Sequence, residues 1–299
     1  MSPQHPVEQA LPEAIAAPRA DFTTGDGWRL AYYTDRTQSG RPLVLIHSIN
    51  AASSSFEMRP LFEHYRLSRP VYSLDLPGFG HSERRAAGYS PALYAQAIAE
   101  FLTQVVGEPA DLIALSLSCE FAAQAARLAP DHLTSLALIS PTGFGEQPLP
   151  SSSPVTTLMK WPKLSQWVYG LVASRPSIRH FLSRSFVGPV PEDMIDQAWA
   201  TAHQPGAHHA PLTFLTMRLF TPDAIDLLYD RLTDLPVLVI ADQDPYIRFE
   251  RLPSFVVRHD TWHRVTLEPH KGLPHWEKLA DTVAALDAFW VHPPLKRAA

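Results

Sequence analysis

Ser116 sits at the centre of Ala114-Leu115-Ser116-Leu117-Ser118, between the apolar run Asp111-Leu112-Ile113-Ala114 and the helix-like Glu120-Phe121-Ala122-Ala123-Gln124-Ala125-Ala126. A strand-to-helix turn of this kind strains its central residue, admits only small residues two positions away, here Ala114 and Ser118, and presents the hydroxyl at a sheet edge. The same pentapeptide also fits a buried serine at an ordinary strand–helix junction, so its partners decide the reading. A serine hydroxyl becomes nucleophilic when a base takes its proton and a third group orients that base. Asp244, in Ala241-Asp242-Gln243-Asp244-Pro245, follows an apolar strand and is the candidate acid, with Asp242 as its competitor. His275, in Gly272-Leu273-Pro274-His275-Trp276-Glu277, precedes the last helix and is the candidate base, with His270 second. Together these groups would carry out acyl transfer to Ser116.

The elements that must position them are legible as short apolar runs. Trp28 to Thr34 alternates as a strand after the turn Gly25-Asp26-Gly27, and Pro42–Ile46 and Pro70–Leu74 read as strands covered on both faces. Ser90 to Val106 has helical spacing, with Ser90 as a cap and Pro91 in the first position. Leu133–Ile139, Pro236–Ala241 and Arg264–Leu267 are further strands, and Thr282–Trp290 is a closing helix. Strands alternating with helices predict an α/β fold, a doubly wound and mainly parallel sheet whose ligands lie beyond the carboxyl ends of the strands. The pattern breaks between Thr142 and Thr233, where the helical pieces Leu164–Leu171, Ile178–Phe186 and Glu192–Ala200 are separated by Pro and Ser. That excursion is too long for a loop and reads as an inserted helical cap. The expected division is therefore a flexible tail over 1–20, a core over 21–142 and 233–299, and a cap over 143–232. The aromatic residues of the cap line a cavity or pack it onto the core.

The bulk numbers exclude several partners. The 299 residues suffice for one large domain with an insertion, and 25 basic against 30 acidic side chains, a net charge of −5, give no electrostatic reason to bind nucleic acid or an anionic membrane. One cysteine, Cys119, cannot form an internal disulfide, and no leader-like segment opens the chain, so a cytoplasmic setting is expected. His203, His208 and His209 crowd one segment without thiolate or acidic company and read as a polar stretch rather than a metal site. Cys119 reads as a small buried hydrophobe.

Leu45-Ile46-His47-Ser48, the string Asp75-Leu76-Pro77-Gly78-Phe79-Gly80-His81-Ser82, the Ser116 turn, Asp244 and His275 occur in an order that resembles the α/β-hydrolase fold superfamily, from about Phe22 to Trp290. The resemblance implies Ser116, Asp244 and His275 as nucleophile, acid and base, and an oxyanion hole from the backbone N–H groups of Ile49 and Leu117. His47 and Ser48, with Trp161 and Trp167 from the cap, are the expected pocket residues. Three departures stand out. Ser48 and Ser118 replace glycines usual in the family, and many relatives carry the base in a Gly-His-x-Pro-His-x-Glu string, which aligns that base with Gly272 and His275 with the second histidine. The expected function is a cofactor-free serine hydrolase acting on a small or medium carboxylic ester or related acyl compound, without stable membrane association. The alternatives are C–C or amide hydrolysis on the same triad, a catalytically silent ligand-binding homologue motivated by Gly272, and interfacial action on lipid through the apolar cap residues.

Overall fold

The computed structural model describes residues 10–147, 156 and 161–293. Eight strands among them form one sheet: β1 (Arg19–Thr23), β2 (Arg29–Asp35), β3 (Leu43–Ile46), β4 (Val71–Leu74), β5 (Ala110–Leu115), β6 (Leu133–Ile139), β7 (Val237–Ala241) and β8 (Trp262–Thr266). Their order is β1-β2-β4-β3-β5-β6-β7-β8, antiparallel from β1 to β4 and parallel from β4 to β8. The helices of the described residues are α1 (Arg59–Tyr65), α2 (Pro91–Phe101), α3 (Ser118–Leu128), α4 (Pro162–Val172), α5 (Arg175–Arg184), α6 (Glu192–Ala202), α7 (His209–Leu215), α8 (Ala224–Leu227), α9 (Leu252–Val257), α10 (Pro274–Glu277) and α11 (Leu279–Val291). β3, β4, β5 and β7 are buried along their whole length, as apolar runs without alternation require when helices cover both faces.

Ser90 caps α2 by accepting from Leu93 N–H at 3.1 Å, and Pro91 opens it. Regular helix ends at Phe101, though, and Leu102–Val106 continue as a wider turn closed by Gly107 at φ +71°. The start of the chain departs further from expectation. Residues 1–9 of the predicted tail lie outside the described residues, but Ala14 and Ile15 are 1% exposed and pack in the core. Ala14 N–H donates to Tyr33 Oη at 2.9 Å, and Gln197 of α6 donates to Pro12 O at 3.2 Å. Arg19–Thr23 then forms the edge strand β1, where the exposed charges of Arg19 and Asp21 concealed the strand signal.

Helices α4 to α8 all lie between β6 and β7. Ile178, Phe186, Met194, Ile195 and Ala198 of this insertion pack into the core cluster that includes Leu45, Phe56 and Leu115. Both ends of the insertion meet at Glu120, buried in the first turn of α3: Thr142 Oγ1 donates to its Oε1, and Thr221 N–H donates to Oε2 at 2.7 Å. Burial pushes this carboxyl up to about 6 against those hydrogen bonds.

Candidate active site

The turn between β5 and α3 is as strained as its sequence demands. Ser116 has φ +57°, a left-handed conformation that costs a non-glycine residue energy, and its N–H is anchored on Ile139 O of β6 at 2.9 Å. Ser118, where relatives carry glycine, donates its hydroxyl to His47 O at 2.6 Å and so ties the turn to the end of β3. The neighbouring loop is held by Glu57, whose carboxylate accepts from Ser48 N–H at 2.8 Å and Asn50 Nδ2 at 2.6 Å, while Ser53 Oγ accepts from Asn50 N–H at 2.8 Å. Ile49 lies inside this scaffold. Among the described residues neither its N–H nor that of Leu117 donates to a protein acceptor.

Ser116 opens into a cavity of about 420 Å³. Its lining is mostly apolar and comes from the β3 loop (Ile49, Ala52, Phe56), the insertion (Tyr169, Phe181, Met194, Phe214) and the loops after β7 and β8. Of the expected pocket residues Ser48 lines it, whereas His47, Trp161 and Trp167 do not. The His47 ring is locked below the floor, accepting from Leu76 N–H at Nε2 (3.0 Å) and therefore protonated at Nδ1, which donates to Ser48 O at 2.6 Å. Trp161 and Trp167 stand 66% and 63% exposed on the outer side of the insertion.

Asp244 lines the cavity and Asp242 does not. Asp244 Oδ1 accepts from Tyr246 N–H at 2.6 Å and Ile247 N–H at 2.9 Å, and burial raises its carboxyl above the ordinary range. Asp242 is engaged beneath it, accepting from Ser140 Oγ at 2.7 Å and Asp244 N–H at 3.1 Å. Burial pushes it up to about 7, opposed first by the Ser140 bond.

No histidine lines the cavity among the described residues. His275 is fully buried with its Nε2–H on Glu57 O at 2.8 Å and its Nδ1 without a partner; burial lowers it to about 4, so the ring is neutral. His270 is likewise buried, with Nδ1 unpartnered and burial lowering its basicity. Neither ring hydrogen-bonds Ser116. The residue that does face Asp244 is Gly272, at φ +58°: a Cβ there would lie 2.6 Å from Asp244 Oδ2 and 3.4 Å from Ser185 Oγ. Ser116, Asp244 and Gly272 thus share one cavity, with a residue lacking any side chain beside the acid.

The sequence reading missed Glu57, whose polar neighbourhood Ser48, Asn50, Ser53, Ser54 and Ser55 directly after a buried strand was the available signal. The string Asp75 to Ser82 is architectural. The Asp75 carboxylate accepts from Ser55 N–H at 2.7 Å and His81 N–H at 2.8 Å, and Gly80 leaves it room, since a Cβ there would overlap it at 2.1 Å. Cys119 is buried, its thiol donating to Ala114 O at 3.3 Å and pushed up by burial. Among the described residues no three His, Cys, Asp or Glu side chains gather to hold a metal, and no helix is long and apolar enough to cross a membrane.

Known proteins agree with this architecture. The chain is 36% identical over 137 residues to the dihydrolipoyllysine-residue acetyltransferase component of the acetoin cleaving system of Cupriavidus necator, a match covering 45% of this chain and 35% of that protein. The chain therefore spans about a third of that relative's length. An esterase from Thermogutta terrifontis superposes with a TM-score of 0.69 at 19% identity, over 92% of this chain and 98% of the other. The 2-hydroxy-6-oxo-6-phenylhexa-2,4-dienoate hydrolase of Rhodococcus sp. strain RHA1 gives 0.70 at 16%, over 92% and 100%. At such identities the likeness is one of fold. The sequence profile of the Alpha/beta hydrolase family matches residues 43–286, from β3 to α11, and the chain belongs to that family.

Proposed function

We propose that the Ser116 cavity binds a small, largely apolar carbonyl compound, its oxygen received by the Ile49 and Leu117 N–H groups, and that Ser116 works without an intramolecular general base. The observation carrying this reading is a lining that includes Ser116, Asp244 and Gly272 and, among the described residues, no histidine. An alcohol with no base within hydrogen-bond reach stays a weak nucleophile. Preorganised N–H donors still bind a polarised carbonyl, because their orientation is fixed before the ligand arrives. The cavity of about 420 Å³ matches ligands of small to medium size. Turnover of p-nitrophenyl esters and titration calorimetry with neutral apolar esters and ketones test the reading together. The expected result is saturable binding with turnover no faster than in Ser116→Ala. Rapid turnover that Ser116→Ala abolishes would reject it.

A second reading is the expected serine hydrolase, with Ser116 as nucleophile, Asp244 as acid and His275, or else His270, as base. Its support is the strain retained at Ser116, φ +57°, which a purely structural serine does not need. It requires His275 to leave Glu57 O, or His270 to leave its buried site, and enter the cavity. Abolition of Ser116 phosphonylation by His275→Gln or His270→Ala would favour it. The outer aromatic residues Trp161 and Trp167 do not line the cavity, so the interfacial reading has no link to Ser116 through them.

A further inference from the structure

The charged side chains that line the cavity are of one sign. Two carboxylates line it, Asp244 and Glu57, and among the described residues no Lys, Arg or His does. Glu57 is satisfied internally by Ser48 N–H and Asn50 Nδ2. Asp244 is not: Oδ1 accepts the two backbone N–H groups of Tyr246 and Ile247, while among the described residues Oδ2 accepts no hydrogen bond and lies beside Gly272. A carboxylate facing an apolar cavity is expensive to keep ionised unless a cation or donor meets it. In a protein with a histidine at this position the imidazolium would do so; here Gly272 contributes no side-chain atom, and Ser185 Oγ lies 3.4 Å from where a Cβ would stand.

Resting on the carbonyl-binding reading above, we infer that the missing partner is supplied by the ligand: the cavity selects apolar compounds carrying a basic nitrogen, an ammonium or amidinium group that donates to Asp244 Oδ2 beside Gly272 and Ser185. Asp244 is then a specificity-determining residue. Anionic ligands such as carboxylates are disfavoured, because they meet the carboxyl groups of Asp244 and Glu57 and, among the described residues, no lining cation. The apolar body lies against Phe181, Met194 and Phe214, which line the same space.

Titration calorimetry with the full chain tests this using three matched probes, 4-phenylbutylamine, 4-phenylbutan-1-ol and 4-phenylbutanoate, at pH 7. The expected order is amine tightest, by about ten-fold over the alcohol, as one charge-assisted hydrogen bond in a partly desolvated site provides, with the carboxylate weakest. In Asp244→Asn the amine-to-alcohol ratio falls to about one. Gly272→Ala, whose Cβ crowds Oδ2, lowers the same ratio and serves if the asparagine variant does not fold. An amine that binds no tighter than the alcohol, a carboxylate that binds best, or a ratio unchanged in either folded variant overturns the inference while leaving carbonyl binding intact. Failure of all three probes to bind also overturns the inference, whereas the carbonyl-binding reading stands or falls separately on the neutral esters and ketones.

Discussion

At the scale of single residues, Ser116 on a strained turn, the Asp244 carboxyl and Gly272 line one cavity. Ser118 shows how a departure from the family pattern is absorbed: its hydroxyl satisfies His47 O, a buried acceptor that a glycine would leave to other partners. Ser118→Ala is expected to lower unfolding free energy by about 1–3 kcal/mol, the cost of leaving such a group unpaired, measured by urea denaturation; no change would mean that His47 O finds another donor. His275 reads oppositely to its sequence context. Its Nε2 is spent on a carbonyl and it stays neutral, so His275→Gln, which keeps a donor, is expected to leave the chemistry at Ser116 unaltered. That Ser116 and Asp244 lie at one cavity was foreseeable, because a strand-to-helix serine and a carboxylate after a buried strand both fall at the carboxyl edge of the sheet. Which histidine, if any, joins them was not, because spacing along a chain does not tell which ring reaches the oxygen.

At the scale of elements, Glu120 joins the two ends of the insertion to α3 through Thr142 and Thr221. Glu120→Ala leaves the part-buried Thr221 N–H without its partner, and the insertion is expected to open locally at a lower free energy than the sheet. Hydrogen exchange checks this: amides of α6 and α7 lose protection while those of β5 and β6 keep theirs, and uniform loss across the sheet would contradict it. Strands β2 to β8 were readable to within a residue or two, since short apolar runs have few other uses, whereas the exposed edge strand β1 was not. Elements whose stability comes from distant contacts were not. Ala14 and Ile15 look like tail residues locally and are buried only because Tyr33 and α6 receive them.

At the scale of the whole molecule, buried ionisable groups shape stability against pH with opposite signs. His275 titrates near 6.5 when unfolded and near 4 when folded. The unfolded chain therefore binds more protons in that window, and the stability that this residue contributes is complete above pH 6.5 and lost as the pH falls towards 4, by about 3 kcal/mol. Asp242, raised from 3.8 to about 7, contributes stability below pH 3.8 that is lost as the pH rises through 7. Chemical denaturation from pH 4 to 8 is expected to show His275→Gln gaining on the parent protein towards pH 4 and Asp242→Asn gaining towards pH 8; parallel curves would contradict both assignments. The proposal that no histidine of the described residues serves Ser116 as a base is put to its sharpest test by the rate at which a fluorophosphonate modifies Ser116. A slow reaction is expected, absent in Ser116→Ala and unchanged in His270→Ala and His275→Gln. Rapid modification that either histidine substitution abolishes would contradict it.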